Sequence, residues 1–141
     1  MVVMENQELN HLFHSVYRLT AHLVIVTKYR RRVIDAVMLE QIKQIAGDTC
    51  QRWGCRLLEF SGEADHVHLL LDLNPKVAPS EFVNTLKTVT SRLIRRDHSE
   101  KLKAVYRNPV FWSRSYCMVS VGGAPLAILK KYIESQDAPE L

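Results

Sequence analysis

Two histidines stand two residues apart inside an apolar run, Asp65-His66-Val67-His68-Leu69-Leu70-Leu71-Asp72-Leu73. Side chains along a strand alternate between faces, so His66, His68, Leu70 and Asp72 share one side. Val67, Leu69, Leu71 and Leu73 share the other, which must face a core. Imidazoles about 7 Å apart along one strand face can converge on a single metal ion. Toward the end of the chain, Tyr132 and Gln136 lie four residues apart in a helix-like run and therefore point the same way. If that helix covers the histidine strand, a metal held by His66, His68 and a Gln136 oxygen can polarise a phosphodiester as Lewis acid and template. The Tyr132 hydroxyl can then attack phosphorus in line as a covalent nucleophile. A phenol with a pKa of about 10 must lose its proton as it attacks. No residue presents itself as the general base.

Each of these residues has a plain reading as well. His66 and His68 alone would be ordinary strand residues, Tyr132 a helix-face aromatic, and Gln136 uninformative. His11, His14, His22 and His98 have no partner pattern and are read as structural or surface residues. Asp65 and Asp72 can orient an imidazole, although Asp65 also suits a turn.

The elements that must position these groups follow from periodicity. Thr20–Thr27 is β-branched and apolar on both faces, as in a strand at the middle of a sheet. Asp35 can cap a helix running to about Trp53, with Met38, Ile42, Ile45, Ala46, Thr49 and Trp53 inward and Gly54 as its stop. Arg56–Ser61 reads as a second strand, and Gly62-Glu63-Ala64 turns it into the histidine strand. Pro79-Ser80-Glu81 starts a helix with a hydroxyl cap, its stripe made by Phe82, Val83, Leu86, Val89, Leu93 and Ile94. Residues 97–114 hold a short helix and a long connection in which Phe111 and Trp112 are read as core. Ser115–Val121 is a fourth strand, and Gly122-Gly123 precedes a last helix from about Ala124 to Gln136. Residues 1–19 show no clear periodicity.

The order strand, helix, strand, strand, helix, strand, helix predicts an α+β fold. It is a ferredoxin-like, RRM-like βαββαβ antiparallel sheet with helices on one face, followed by a C-terminal helix bearing Tyr132. The first and third strands are then central. With 141 residues, 47% of them hydrophobic, the chain is read as one domain over residues 1–141 with its core at about 20–136. It has no span of the roughly 20 apolar residues a membrane helix needs, and no evident secretory signal. Cys50, Cys55 and Cys117 are odd in number and lack paired ligand spacing, which points to a reducing cytoplasm.

The net charge of +4 is modest but clustered. Lys28, Arg30, Arg31 and Arg32 surround Tyr29 at a strand exit, a pattern suited to phosphates and a stacked base, although a solvated loop reads the same way. Lys87, Arg92 and Arg114 are further candidates for DNA contact.

With these segments in place, the chain resembles a known family. His66-Val67-His68 is the histidine–hydrophobe–histidine motif of the HUH endonuclease superfamily. Together with His22–Arg31, Ser120–Leu126 and Tyr132–Gln136, it resembles the small single-tyrosine transposases of bacterial insertion sequences, over about residues 20 to 136. The resemblance implies cleavage and rejoining of single-stranded DNA at element ends through a 5′-phosphotyrosine, with Tyr132 as nucleophile and His66, His68 and Gln136 as metal ligands. It implies Mg²⁺ or Mn²⁺, recognition of subterminal DNA hairpins, and a homodimer whose tyrosine helices can complete the partner's site. Three rivals stand beside it. A non-catalytic single-stranded nucleic-acid-binding module would carry exposed aromatics on the open sheet face. A host-domesticated relative would act on repeated genomic hairpins. A hydrolytic nuclease using activated water would not need Tyr132.

Overall fold

The computed structural model describes residues 9–12 and 14–121. Two short strands come first, β1 (Asn10–Leu12) and β2 (Ser15–Tyr17), paired as a hairpin. At three residues each they are too short to leave a periodic signature, so the sequence showed none. The principal sheet contains β3 (Thr20–Thr27), β4 (Arg56–Gly62), β5 (His66–Asp72) and β6 (Trp112–Ser120) in the order β4-β5-β3-β6. Every neighbouring pair is antiparallel. The two central strands are β3 and β5, and all eight residues of β3 are buried. This is the βαββαβ arrangement expected from the order of elements.

One face of the sheet carries Leu23, Ile25, Val67, Leu69 and Leu71, all at most 1% exposed. They pack against α1 (Ala36–Arg52) and α2 (Pro79–Asp97), with Met38, Ile42, Phe82 and Leu86 from the helices in the same cluster. Helix α1 begins where expected: Asp35 accepts a hydrogen bond from the Met38 amide at 2.8 Å. It ends at Gly54, whose φ of +68° is a left-handed conformation.

Three boundaries differ from the sequence reading. Helix α2 has no hydroxyl cap: Ala78 is its N-cap and makes no side-chain cap bond. Pro79 lacks an N–H and has a ring-fixed φ suited to a helix, so it occupies the first turn and moves the cap two residues upstream, from Ser80 to Ala78. The inward stripe of α2 includes Thr90, whereas Val89 and Leu93 are only half-buried. Thr90 satisfies itself by donating to the Leu86 carbonyl at 2.7 Å and accepting from Trp112 Nε1 at 2.7 Å. Strand β6 starts three residues earlier than expected, at Trp112, which pairs with Thr27 across a register shift. As expected, Phe111 and Trp112 are buried in the core.

The connection after α2 holds one further short helix, α3 (Ser99–Lys103), as read. Cys50, Cys55 and Cys117 are free thiols, and burial pushes the Cys50 pKa up to about 12. No helix among the described residues is long and apolar enough to cross a membrane. The expected helix from Ala124 to Gln136, with the Gly122-Gly123 break before it, lies outside the described residues.

Candidate metal and nucleic-acid site

The second face of the sheet is built differently. His66 Nε2 and His68 Nε2 stand 3.1 Å apart, with the rings nearly perpendicular at 86°. Asp65 Oδ1 lies 2.7 Å from His66 Nδ1. Burial raises the Asp65 pKa, but the hydrogen bond and charge of His66 and the Arg30 guanidinium outweigh it, leaving the carboxyl below its ordinary value. Asp65 is therefore a carboxylate that can only accept, and His66 Nδ1 carries the hydrogen. That leaves His66 Nε2 facing His68 Nε2. Burial first, then the fields of His66 and His22, lower the His68 pKa to about 4, so its ring is neutral at pH 7. One hydrogen is shared between the two Nε2 atoms, and the buried His68 Nδ1 has no hydrogen-bond partner.

This geometry fits a metal ion. Two nitrogens each about 2.1 Å from one ion, at right angles, are separated by about 3 Å. Replacing the shared proton with a cation would require little movement of either ring. Among the described residues no third His, Cys, Asp or Glu joins the pair. Gln136, the expected third ligand, and Tyr132, the expected nucleophile, lie outside the described residues.

The neighbours on this face come from β3. Val26 is opposite His66, Val24 opposite His68, and His22 opposite Leu70. His22 was read as structural or surface; it is buried, with neither ring nitrogen hydrogen-bonded, and burial lowers its pKa to about 4. Its membership of the histidine face depends on strand register, which one sequence does not give. Asp72 does not orient an imidazole. Four residues from His68, roughly 13 Å along the strand, it instead accepts from Arg56 Nη2 at 2.7 Å and Asn10 Nδ2 at 2.6 Å.

The basic run at the exit of β3 forms one turn, Lys28–Arg30, in which Tyr29 (φ 59°) and Arg30 (φ 53°) are both left-handed. Each such residue costs about 1–3 kcal/mol unless its surroundings hold it. Here the Lys28 amide donates to the Phe111 carbonyl at 2.8 Å, and the Tyr106 hydroxyl donates to the Lys28 carbonyl at 2.8 Å. Thr27 Oγ1 donates to the Arg31 carbonyl at 2.7 Å. Tyr29 is thrust outward, 72% exposed, with Lys28 Nζ 5.3 Å from its ring centre. Arg30 turns the other way, placing Nη2 3.3 Å from Asp65 Oδ2. Arg31 and Arg32 are exposed.

A second basic region lies between α2 and residues 109–114. Its groove is lined by Asn84, Ser91, Arg92, Arg95 and Arg114. Lys87 also lines it but is committed, donating to the Ser113 and Arg114 carbonyls at 2.6 and 3.1 Å. Burial, then the charge of Lys28, lowers the Lys87 pKa.

The sequence profile described as "Transposase IS200 like" matches residues 15–136, nearly the whole chain. The chain belongs to the IS200-like transposases. These are single-tyrosine HUH enzymes of insertion sequences, acting as single-stranded DNA endonucleases and strand transferases. The ISDra2 transposase TnpA of Deinococcus radiodurans is 34% identical over 125 residues, covering 89% of both chains. The transposase of insertion sequence element IS200 from Salmonella typhimurium is 33% identical over 125 residues, covering 89% of this chain and 81% of that one. Among solved structures, a transposase from Deinococcus radiodurans R1 superposes with a TM-score of 0.74 at 31% identity, covering 92% of this chain and 99% of that one. A REP-associated tyrosine transposase bound to a REP hairpin shares the fold, with a TM-score of 0.60 at 8% identity, over 91% of this chain and 73% of the other.

Proposed function

We propose that this IS200-like transposase cuts and rejoins single-stranded DNA at the ends of an insertion sequence through a covalent 5′-phosphotyrosine on Tyr132. The observation that carries the reading is the pair of Nε2 atoms 3.1 Å apart, in a chain whose family match extends through Tyr132 and Gln136. His66, His68 and an oxygen of Gln136 would hold Mg²⁺ or Mn²⁺, which when bound would supply Lewis-acid polarisation of the scissile phosphodiester. The Tyr132 Oη attacks phosphorus and forms an O–P bond. The P–O3′ bond breaks, and the released 3′-oxygen leaves as a hydroxyl. A later attack by a 3′-hydroxyl reverses the exchange and frees the tyrosine, so one phosphodiester replaces another and no ATP is consumed.

DNA binding rests on the outward Lys28, Tyr29, Arg31 and Arg32 and on the groove with Arg92, Arg95 and Arg114. The hairpin held by the REP-associated structure supports a subterminal hairpin as the recognised partner. The chain works in the cytoplasm as a homodimer in which the tyrosine helix completes its own site or its partner's. Insertion-sequence relatives at 33–34% identity favour element transposition over a host-domesticated role. The histidine face carries imidazoles and valines where a stacking platform would carry aromatics, which disfavours a non-catalytic binding module.

Tyr132→Phe provides the test. It should abolish cleavage of a single-stranded end oligonucleotide while binding the hairpin with wild-type affinity in a gel-shift assay. Full cleavage by this variant would favour the hydrolytic mechanism.

A further inference from the structure

The Lys28–Arg30 turn sends adjacent side chains in opposite directions. Tyr29 points into solvent and Arg30 toward the sheet, and both residues occupy left-handed backbone. An ordinary strand exit needs neither conformation. The turn is nevertheless fastened on several sides, by Phe111, Tyr106 and the Thr27 hydroxyl. Asp65 is tied to the same point, because its carbonyl accepts from the Thr27 amide at 2.9 Å.

This fastening places Arg30 Nη2 3.3 Å from Asp65 Oδ2, while Asp65 Oδ1 accepts from His66 Nδ1 at 2.7 Å. A carboxylate bridging a guanidinium and an imidazole cannot rotate without losing one of them. We propose that Arg30 is a positioning residue for the metal site. It fixes the Asp65 carboxylate, which holds His66 in its Nδ1–H tautomer and directs Nε2 at His68 Nε2, 3.1 Å away. Metal-ligating histidines depend on such outer partners for ring orientation and affinity. The proposal rests on the reading of His66 and His68 as metal ligands, and it separates Arg30 from the phosphate contacts suggested by its place in a basic run. An ion pair serving only the surface would be worth little and would leave the imidazole unchanged.

The test combines two readouts on the full chain without DNA: the His66 tautomer by ¹⁵N NMR on metal-free protein, and Mn²⁺ affinity by EPR titration. Wild type should show His66 in the Nδ1–H form alone. Arg30→Ala should show mixed tautomers and bind Mn²⁺ about 10-fold more weakly, and Asp65→Asn up to about 100-fold more weakly. Arg30→Lys, keeping the charge without the planar fork, should recover part of the loss. The Arg30 side chain is 43% exposed, so its removal leaves the core intact. An unchanged tautomer and unchanged Mn²⁺ affinity in Arg30→Ala would overturn the proposal alone. A loss of the same size in Tyr29→Ala would also overturn it, assigning the effect to the shape of the turn. Failure of the wild-type protein to bind Mn²⁺ would instead remove the ligand reading beneath it.

Discussion

The two faces of the central strands β3 and β5 obey opposite rules. On the helix side, Leu23, Ile25, Val67, Leu69 and Leu71 are sealed against α1 and α2. On the other side, the same strands bury His22, His66 and part of His68, with three ring nitrogens lacking hydrogen-bond partners. An unpaired buried polar group costs about 1–3 kcal/mol, so the histidine face lowers stability and the core face offsets it. Stability and chemistry are thus separated by one residue along each strand. Substitutions on the two sides should fail in different ways.

The largest expected effect is on activity. His66→Ala should abolish metal-dependent cleavage while lowering the free energy of unfolding by only about 1–3 kcal/mol, measured by urea denaturation beside the cleavage assay. Metal-independent cutting by this variant would break the division between the faces. Phe82→Ala, beneath the core face, should do the reverse. It should cost about 3–5 kcal/mol of stability, and the protein that remains folded should keep wild-type cleavage per molecule. A purely catalytic defect with unchanged melting would contradict the packing account.

The smallest effect concerns pH. His22 and His68 have folded pKa values of about 4, below the ordinary 6.5. Between those values the unfolded chain binds protons that the folded chain refuses, so stability falls as pH drops from about 6.5 toward 4 and is flat above that window. His22→Leu should make this fall shallower and raise stability at pH 7.5 by about 1 kcal/mol, as read from thermal melts across pH. A steeper fall in the variant would show that His22 is not held neutral by the fold.

The division between faces was legible early because strand alternation is strict. His66-Val67-His68 could only present both imidazoles on one side, and Val67, Leu69 and Leu71 on the other. Asp35 and Gly54 marked the ends of α1 because an acceptor at an N-cap and a left-handed residue after a helix have few substitutes. Thr90 was missed because a polar residue enters a core stripe only when partners satisfy it, and those partners, Leu86 and Trp112, are known only once the helix docks. His22 required strand register. Arg30 required the left-handed turn, which reverses a side chain that its basic neighbours suggested was solvated. Asp72 followed the correct face but lay at the far end of the strand, beside Arg56.

The most direct test of the central claim is the intact mass of the wild-type protein after reaction with a single-stranded oligonucleotide spanning an element end and its hairpin, with Mg²⁺ or Mn²⁺ present. The account predicts a species heavier by the mass of the DNA fragment lying 3′ of the cut, joined through its 5′-phosphate and localised by peptide mapping to Tyr132. Unmodified protein accompanied by free 5′-phosphate ends would contradict it.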